Sequence, residues 1–146
     1  MNKAKIGVIG AGWWATEFHI PHLQKRDDVE LVSVCKLEQD QLDFVKDKFG
    51  FKFASTDFKE MLDFSPLDGV VIASPHFAHF ENAKASLQKG CHVLIEKPMT
   101  TNSHDAEELF RLAKECKKEI LVPNGFNFTH YMPKAEKYIS DGIIGE

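Results

Sequence analysis

Short apolar runs alternate along the chain with stretches in which apolar residues recur at helical spacing. A short apolar run is typical of a buried strand, whereas apolar residues three or four positions apart form one face of a helix. The runs predict six strands, at residues 6–9, 29–35, 51–54, 70–73, 92–95 and 120–122. The stretches between and after them predict one helix following each strand, the last ending near residues 141–142 after a loop at 123–129.

Residues that interrupt, begin or end helices refine this prediction. The first helix should run to about Lys25 with a kink or restart at Pro21, and Gly50 should end the second helix. Asp57 and Glu60 have the spacing of a capping box and predict a short third helix. The helix before the sixth strand has acids in its first turn and lysines in its last, as the helix dipole favours. Its predicted apolar stripe consists of Ala106, Leu109, Phe110, Ala113 and Cys116.

Six strand–helix units predict one α/β domain over residues 1–146, with a doubly wound parallel sheet in the order 3-2-1-4-5-6. The run Val70 to Ala73 supports this class because it has no polar alternation. A strand of that kind is buried on both faces, which is typical of a parallel sheet covered by helices.

A glycine motif, G-x-G-x-x-A, lies between the first strand and the first helix. Gly10 suits a tight turn, Gly12 lets the backbone approach a pyrophosphate, and Ala15 lets the helix pack on the strand. The motif predicts a dinucleotide site that includes Gly10, Ala11, Gly12, Trp13 and Trp14. Similar turns also occur in methyltransferases, which bind S-adenosylmethionine, and in plain α/β domains. For the two tryptophans the alternatives are hydrophobic cover for the helix start and contact with the cofactor through backbone N–H groups and one indole.

Other unusual residues follow the predicted strands, where ligands bind in an open parallel sheet. Lys97 stands between Glu96 and Pro98 at the end of a buried strand. It is either an exposed surface lysine or an amine held at the ligand edge, where it is able to assist proton transfer. We expect His76 and His79 to border the cofactor pocket, and His19 and His22 to lie on a helix face. We expect no metal site, because further ligands at suitable spacing are not evident.

Composition narrows the choice of partners. The net charge is −4 and no basic tract is present, so we expect no nucleic-acid partner. No apolar run approaches the length of a membrane span, and we expect neither a membrane partner nor a signal peptide. The three cysteines, Cys35, Cys91 and Cys116, are unclustered and are interpreted as reduced thiols, so the expected location is the cytoplasm.

The motifs taken together resemble the Gfo/Idh/MocA oxidoreductases, the relatives of glucose–fructose oxidoreductase and inositol dehydrogenase. The resemblance extends over the whole chain, and its most specific part is the glycine turn combined with Glu-Lys-Pro after the fifth strand. The other matching segments are Ser74-Pro75-His76 with His79, His92-Val93, Gly125-Phe126-Asn127, Gly142 and Gly145-Glu146. This resemblance implies a Rossmann NAD(P)-binding fold and hydride transfer to or from a sugar, polyol or related hydroxyl compound.

The resemblance also implies roles for particular residues. Lys97 matches the family lysine that binds substrate and assists proton transfer, while Ser74, Pro75 and His79 match the segment on the nicotinamide side. Lys36 stands where the family often has an acid at the end of the second strand. Because an ammonium attracts a 2′-phosphate, we predict that NADP is bound at least as well as NAD. The alternative is that Glu38 reaches the ribose 2′-hydroxyl and Lys36 turns to solvent.

Family members continue into a second domain that supplies most substrate contacts and usually the oligomer interface. The resemblance therefore implies that residues 1–146 are the nucleotide-binding half of a larger homo-oligomeric enzyme, inactive by itself. The alternative function is a stand-alone dinucleotide-binding or redox-sensing module without catalysis.

Overall fold

The computed structural model describes residues 2–145, in which six strands form one parallel sheet in the order β3-β2-β1-β4-β5-β6. Every neighbouring pair of strands is parallel. The strands are β1 (Ala4–Ile9), β2 (Val29–Cys35), β3 (Phe53–Ser55), β4 (Gly69–Ile72), β5 (His92–Ile95) and β6 (Ile120–Leu121). The predicted fold class and strand order are confirmed.

Helical segments connect the strands. They are a π-helical turn (Ala15–His19), α1 (Ile20–Gln24), α2 (Gln39–Phe49), α3 (Phe58–Asp63), α4 (His79–Gln88), α5 (Ser103–Cys116) and α6 (Met132–Ser140). Short 3₁₀ turns cover His76–Ala78 and Gly125–Phe128. Where the sequence predicts a kink or restart at Pro21, the helical backbone continues, but its hydrogen bonding changes from the π-helical turn to α1 at Ile20, beside this proline.

Two hydrophobic clusters cover the two faces of the sheet. Val8 and Val34 pack with Leu42 of α2 on one face, while Ile9 and Ile72 belong to the cluster on the other face. Neighbouring residues of β1 thus point to opposite faces, as the pleat of a strand requires. Both faces are buried, so the strand ends at the edge are the part of the sheet left open to a ligand.

Local differences from the predicted elements have identifiable causes. The third strand begins at Phe53, because the chain is still completing the end of α2 at Phe51, whose N–H donates to the carbonyl of Lys46. Asp57 caps α3 as expected by accepting from the N–H of Lys59. Phe110 is exposed, so the predicted stripe of α5 was wrong at that position. In residues 2–145, no helix is long and apolar enough to cross a membrane.

Candidate functional site

The carboxyl ends of β1, β4 and β5 lie side by side. Ile9 pairs with Ile72, and Ile72 pairs with Ile95, so the residues that follow these strands emerge together. The ladder continues past the strands, because the N–H of Ala73 donates to the carbonyl of Ile9 and the N–H of Glu96 donates to that of Ile72. This register brings the glycine turn, the Ser74 loop and the Glu96–Lys97 segment to one edge of the sheet.

Gly10 and Gly12 have different surroundings in the glycine turn. Gly10 has a φ of +86°, and a Cβ there would lie 2.2 Å from the backbone nitrogen of Ser74. A Cβ on Gly12 would have no atom of the described chain within 4 Å. Gly10 is therefore required by the fold, whereas the space beside Gly12, here called the cradle, is open, as the predicted pyrophosphate site requires.

Backbone hydrogen bonds decide which N–H groups of the turn face the cradle. The N–H groups of Gly10 and Ala11 both donate to the carbonyl of Cys35, at 2.9 Å and 3.2 Å. Ala11 is also 1% exposed, so both its side chain and its N–H are already engaged within the domain, and its contact with the cofactor stays a prediction. The following N–H groups, of Trp13 and Trp14, open the helical segment, and the first N–H groups of a helix lack intrahelical acceptors.

A cavity of about 570 Å³ lies between the glycine turn and the ends of β2 and β4. Its lining includes Gly10, Gly12, Lys36, Ser74 and Pro75, all of which the sequence places in the site. A pocket of this size suits part of a dinucleotide.

Charge and thiol chemistry at the end of β2 are set by close neighbours. The ammonium of Lys36 lies 2.9 Å from a carboxylate oxygen of Glu38, and the Lys36 side chain is 14% exposed. The hydrogen bond from Lys36 lowers the pKa of Glu38. Burial raises the pKa of the Cys35 thiol to about 11, so this thiol stays protonated beside the cavity.

A smaller cavity, of about 160 Å³, adjoins the first at Ser74. Its lining includes Trp14, Ser74, His76, Glu96 and Lys97. The structure thus brings together the residues that the sequence assigns to the nicotinamide side. His76 and Lys97 are exposed, which leaves both available to a bound molecule.

Glu96 is the best-connected polar side chain at this edge. One carboxylate oxygen, Oε1, accepts from the indole N–H of Trp14 at 2.7 Å and lies 2.7 Å from Nε2 of His19. The other, Oε2, accepts from the backbone N–H of Lys97 at 3.2 Å. Burial acts to raise the pKa of Glu96, but the hydrogen bonds from His19, Trp14 and Lys97 together outweigh it, so that the pKa is lowered. Glu96 is therefore a carboxylate at neutral pH.

His19 is a member of the site that sequence reasoning missed, since it was expected only to lie on a helix face. Trp14 and His19 are five residues apart and reach the same oxygen of Glu96. In the π-helical turn, hydrogen bonds join residues five apart, and the N–H of Ile20 donates to the carbonyl of Ala15. A signal was present in the sequence, because Pro21 disturbs regular helix in the preceding turn.

His79 lines the smaller cavity although its side chain is fully buried. Its ring nitrogens lie 2.8 Å from the carbonyl oxygens of Ser74 and Pro98, so it also connects the loops that follow β4 and β5. Its contact with a cofactor stays a prediction. Asn82, which the sequence did not single out, accepts from the hydroxyl of Ser74 at 2.7 Å and lines the larger cavity.

Within residues 2–145, no group of three or more His, Cys, Asp or Glu side chains is placed to hold a metal ion. The polar groups that line the two cavities include backbone N–H groups, the carboxylates of Glu38 and Glu96, the ammonium groups of Lys36 and Lys97, and histidine side chains.

A doubly wound sheet with a glycine turn at the point where the strand order reverses defines a dinucleotide-binding class of protein. A family model described as an oxidoreductase family with an NAD-binding Rossmann fold, Gfo/Idh/MocA, matches residues 4–124. The chain belongs to this family, which confirms the resemblance and does not support a methyltransferase.

Individual relatives agree with this assignment. The chain is 29% identical over 145 residues to D-glucoside 3-dehydrogenase of Escherichia coli K12, covering 99% of this chain and 41% of the relative. It is 31% identical to myo-inositol 2-dehydrogenase of Thermotoga maritima, covering 97% of this chain and 42% of the relative. Among solved structures, a 3-ketoreductase from Actinomadura kijaniata in complex with TDP-benzene and NADP superposes with a TM-score of 0.87 at 27% identity, covering 99% of this chain and 46% of that one. The chain thus spans less than half the length of these relatives.

Proposed function

We propose that residues 1–146 are the cofactor-binding domain of an NAD(P)-dependent oxidoreductase that acts on a hydroxyl group of a sugar, polyol or related compound. The observation that carries the proposal is the open cradle at Gly12, which continues through the Ser74 loop to the exposed Lys97. A stand-alone redox-sensing module is less well supported, because that function does not explain why Glu96 and Lys97 lie at the cavity.

The residues present fit a nicotinamide dinucleotide. We assign the pyrophosphate to the cradle at Gly12 and the N–H groups of Trp13 and Trp14, because a helix start favours anionic phosphates. We assign the adenine ribose to the end of β2, near Lys36, and the nicotinamide to the smaller cavity. The cofactor, when bound, supplies the group that accepts or donates a hydride.

Lys97 is the residue we assign to proton transfer. Oxidation of an alcohol to a carbonyl removes a hydride from carbon and a proton from oxygen. An amine at Lys97 accepts the hydroxyl proton in that direction, and the ammonium returns it to the carbonyl oxygen in reverse. Its exposure at the end of β5 leaves the amine open to a substrate that stands against the nicotinamide.

The substrate class is supported by the relatives, whose names include a glucoside, an inositol and a nucleotide-linked deoxyglucose. The first two compounds carry several hydroxyl groups on a ring, and the third is a diketo sugar that its enzyme reduces at position 3. Assays of the whole enzyme with a panel of such compounds, in both directions of the reaction, would identify the particular substrate.

Calorimetric titration of this chain with NADH, NADPH and S-adenosylmethionine tests the cofactor assignment. We expect both nicotinamide dinucleotides to bind and S-adenosylmethionine not to bind. Binding of S-adenosylmethionine alone would overturn the proposal. In the whole enzyme, Lys97→Ala should reduce kcat for myo-inositol or D-glucose by about a hundredfold, the lower range for general acid–base catalysis, and leave the Kd for NADH within about twofold.

We also propose a cytoplasmic location and a homo-oligomer for the whole enzyme. The location is supported by Cys35, Cys91 and Cys116, which are all free thiols. The homo-oligomer rests on the family resemblance, and sedimentation equilibrium of the whole enzyme tests it.

A further inference from the structure

We propose that Trp14 and His19 form a clamp on Glu96 that keeps this carboxylate away from the neighbouring ammonium, so that Lys97 stays free for substrate. Trp14 directly precedes the π-helical turn and His19 is its last residue, and the two side chains meet at Glu96 Oε1. This inference rests on the proposed role of Lys97 and names His19 as a positioning residue for it.

The need for a clamp follows from the order of the residues. Glu96 and Lys97 are adjacent and carry opposite charges at one exposed edge. A free carboxylate there would pair with the ammonium, as happens between Lys36 and Glu38 at the end of β2. In the part of the chain that the structure describes, no ion pair joins Lys97 to Glu96, although five other lysines form ion pairs.

The hydrogen bonds of Glu96 explain this difference. Oε1 is occupied by Trp14 and His19, and Oε2 by the backbone N–H of Lys97. The side chains of His19 and Glu96 are 17% and 12% exposed, so water competes weakly for these bonds. Because Glu96 is a carboxylate and accepts only, Nε2 of His19 must carry a proton and donate it.

The π-helical turn is what brings both donors to one oxygen. In an α-helix with 3.6 residues per turn, residues five apart point about 140° away from each other. In a π-helical turn the backbone hydrogen bonds join residues five apart, as between the N–H of Ile20 and the carbonyl of Ala15. Residues with this separation therefore lie on the same side of the helix. The same segment begins at the glycine turn, so the clamp also connects the pyrophosphate cradle to the Lys97 segment. Single π-helical turns within α-helices are often found at functional sites.

The reactivity of the Lys97 amine tests the clamp without cofactor or substrate. The wild-type chain and its variants are treated with acetic anhydride, and acylation of Lys97 is followed by peptide mass spectrometry, with the exposed Lys117 as internal reference. In His19→Ala, we expect Lys97 to react about threefold more slowly than in wild type, the size of effect for a partly exposed ion pair. His19→Gln, whose amide N–H is able to replace Nε2–H, should restore the wild-type rate.

Two controls separate the clamp from a general disturbance of the helix. His22→Ala removes an exposed histidine of α1 that contacts the carbonyl of Phe18. This variant should leave the acylation rate of Lys97 unchanged. Trp14→Phe loses the indole N–H but keeps an aromatic ring next to Phe18, whose ring centroid lies 4.3 Å from that of Trp14 in wild type. This variant should also lower the acylation rate of Lys97. Unfolding of His19→Ala would leave Trp14→Phe and His19→Gln to decide the question.

Nitrogen-15 NMR of the wild-type imidazoles gives an independent measurement. We expect Nε2 of His19 to carry a bonded proton. An unprotonated Nε2 would overturn the proposal. So would an acylation rate of Lys97 that is unchanged or higher in His19→Ala and Trp14→Phe, or one that is as low in His19→Gln as in His19→Ala. Failure of the chain to bind NADH would contradict the proposed function instead and leave these results unaffected.

Discussion

At the scale of single residues, Gly10 and Gly12 belong to one turn but serve different purposes. Gly10 lies against the backbone of Ser74 and adopts a φ that side chains disfavour, so its absence of a Cβ serves the fold. Gly12 faces open space, so the packing of the domain does not require its absence of a Cβ, and we assign that absence to the proposed ligand. The sequence motif predicts a turn at Gly10 and a close approach at Gly12, and the structure accordingly packs the backbone of Ser74 against Gly10 and leaves the space beside Gly12 open.

Alanine at each position should separate these two purposes. Gly12→Ala should fold with a Tm close to that of wild type but bind NADH about tenfold or more weakly, since a Cβ would enter the pyrophosphate cradle. Gly10→Ala should lower the stability by several kcal/mol, or prevent folding, because its Cβ would overlap the Ser74 backbone. Thermal denaturation and NADH titration measure both effects. Normal NADH binding by Gly12→Ala would mean that the cradle is elsewhere.

The ion pair between Lys36 and Glu38 changes the expectation for cofactor choice. Lys36 is not free, since a 2′-phosphate would have to share its ammonium with Glu38. Glu38→Gln should therefore strengthen NADPH binding several-fold and leave NADH nearly unchanged, while Lys36→Asp should weaken NADPH. Both effects should shrink in high salt, because the groups are partly exposed. Titrations at low and high salt test this, with Asp40→Asn as a control for the loss of a nearby exposed acid.

If wild type prefers NADH by tenfold or more and Lys36→Asp does not change the ratio, Lys36 does not face the ribose. That result would leave Glu38 as the residue that bonds the 2′-hydroxyl, which is the alternative left open by the sequence.

At the scale of elements, helix ends were easier to predict than helix phase. Gly50 ends α2 with a φ of +76°, and Asp57 caps α3, because each signal involves only neighbouring residues. The π-helical turn was not predicted, since its hydrogen bonds depend on packing around Ala15 and Ile20 as well as on Pro21. That one local change of period decides where His19 points, which is why His19 was not placed in the site.

The end of α5 offers a test of such local geometry. Lys117 has a φ of +55°, and its N–H closes the helix onto the carbonyls of Ala113 and Lys114. Lys117→Gly should raise the stability by about 1 kcal/mol, because a left-handed conformation costs a side-chain-bearing residue about that much. The matched control, Lys114→Gly inside the helix, should lower it by about 1 kcal/mol. Urea denaturation of both variants measures the change in the free energy of unfolding, which should be positive for Lys117→Gly and negative for Lys114→Gly. Changes of the same sign would contradict the left-handed end of α5.

At the scale of the whole molecule, the strand order could be predicted because it follows from the repeated strand–helix pattern and the right-handed crossover. The edge on which Gly10, Ser74 and Lys97 meet follows from the same topology. The contacts within that edge could not be predicted, because Glu96 meets side chains that lie 77 and 82 residues away in sequence. The depth of His79 was also missed, since the spacing of histidines does not show which of them the packing will bury.

Cofactor binding should stabilise the entire domain, because the proposed contacts come from the ends of β1, β2, β4 and β5 and exist together only in the folded chain. A ligand present at a hundred times its Kd adds about 2.7 kcal/mol to the stability. For a chain of this size, that corresponds to a rise in Tm of roughly 5–10 °C. We therefore expect NADH to shift the thermal unfolding of wild type by this amount and, at the same concentration, to shift that of Gly12→Ala by about half as much or less, because a tenfold weaker Kd leaves about 1.4 kcal/mol of stabilisation. An equal shift in both proteins would show that NADH binds away from the glycine turn.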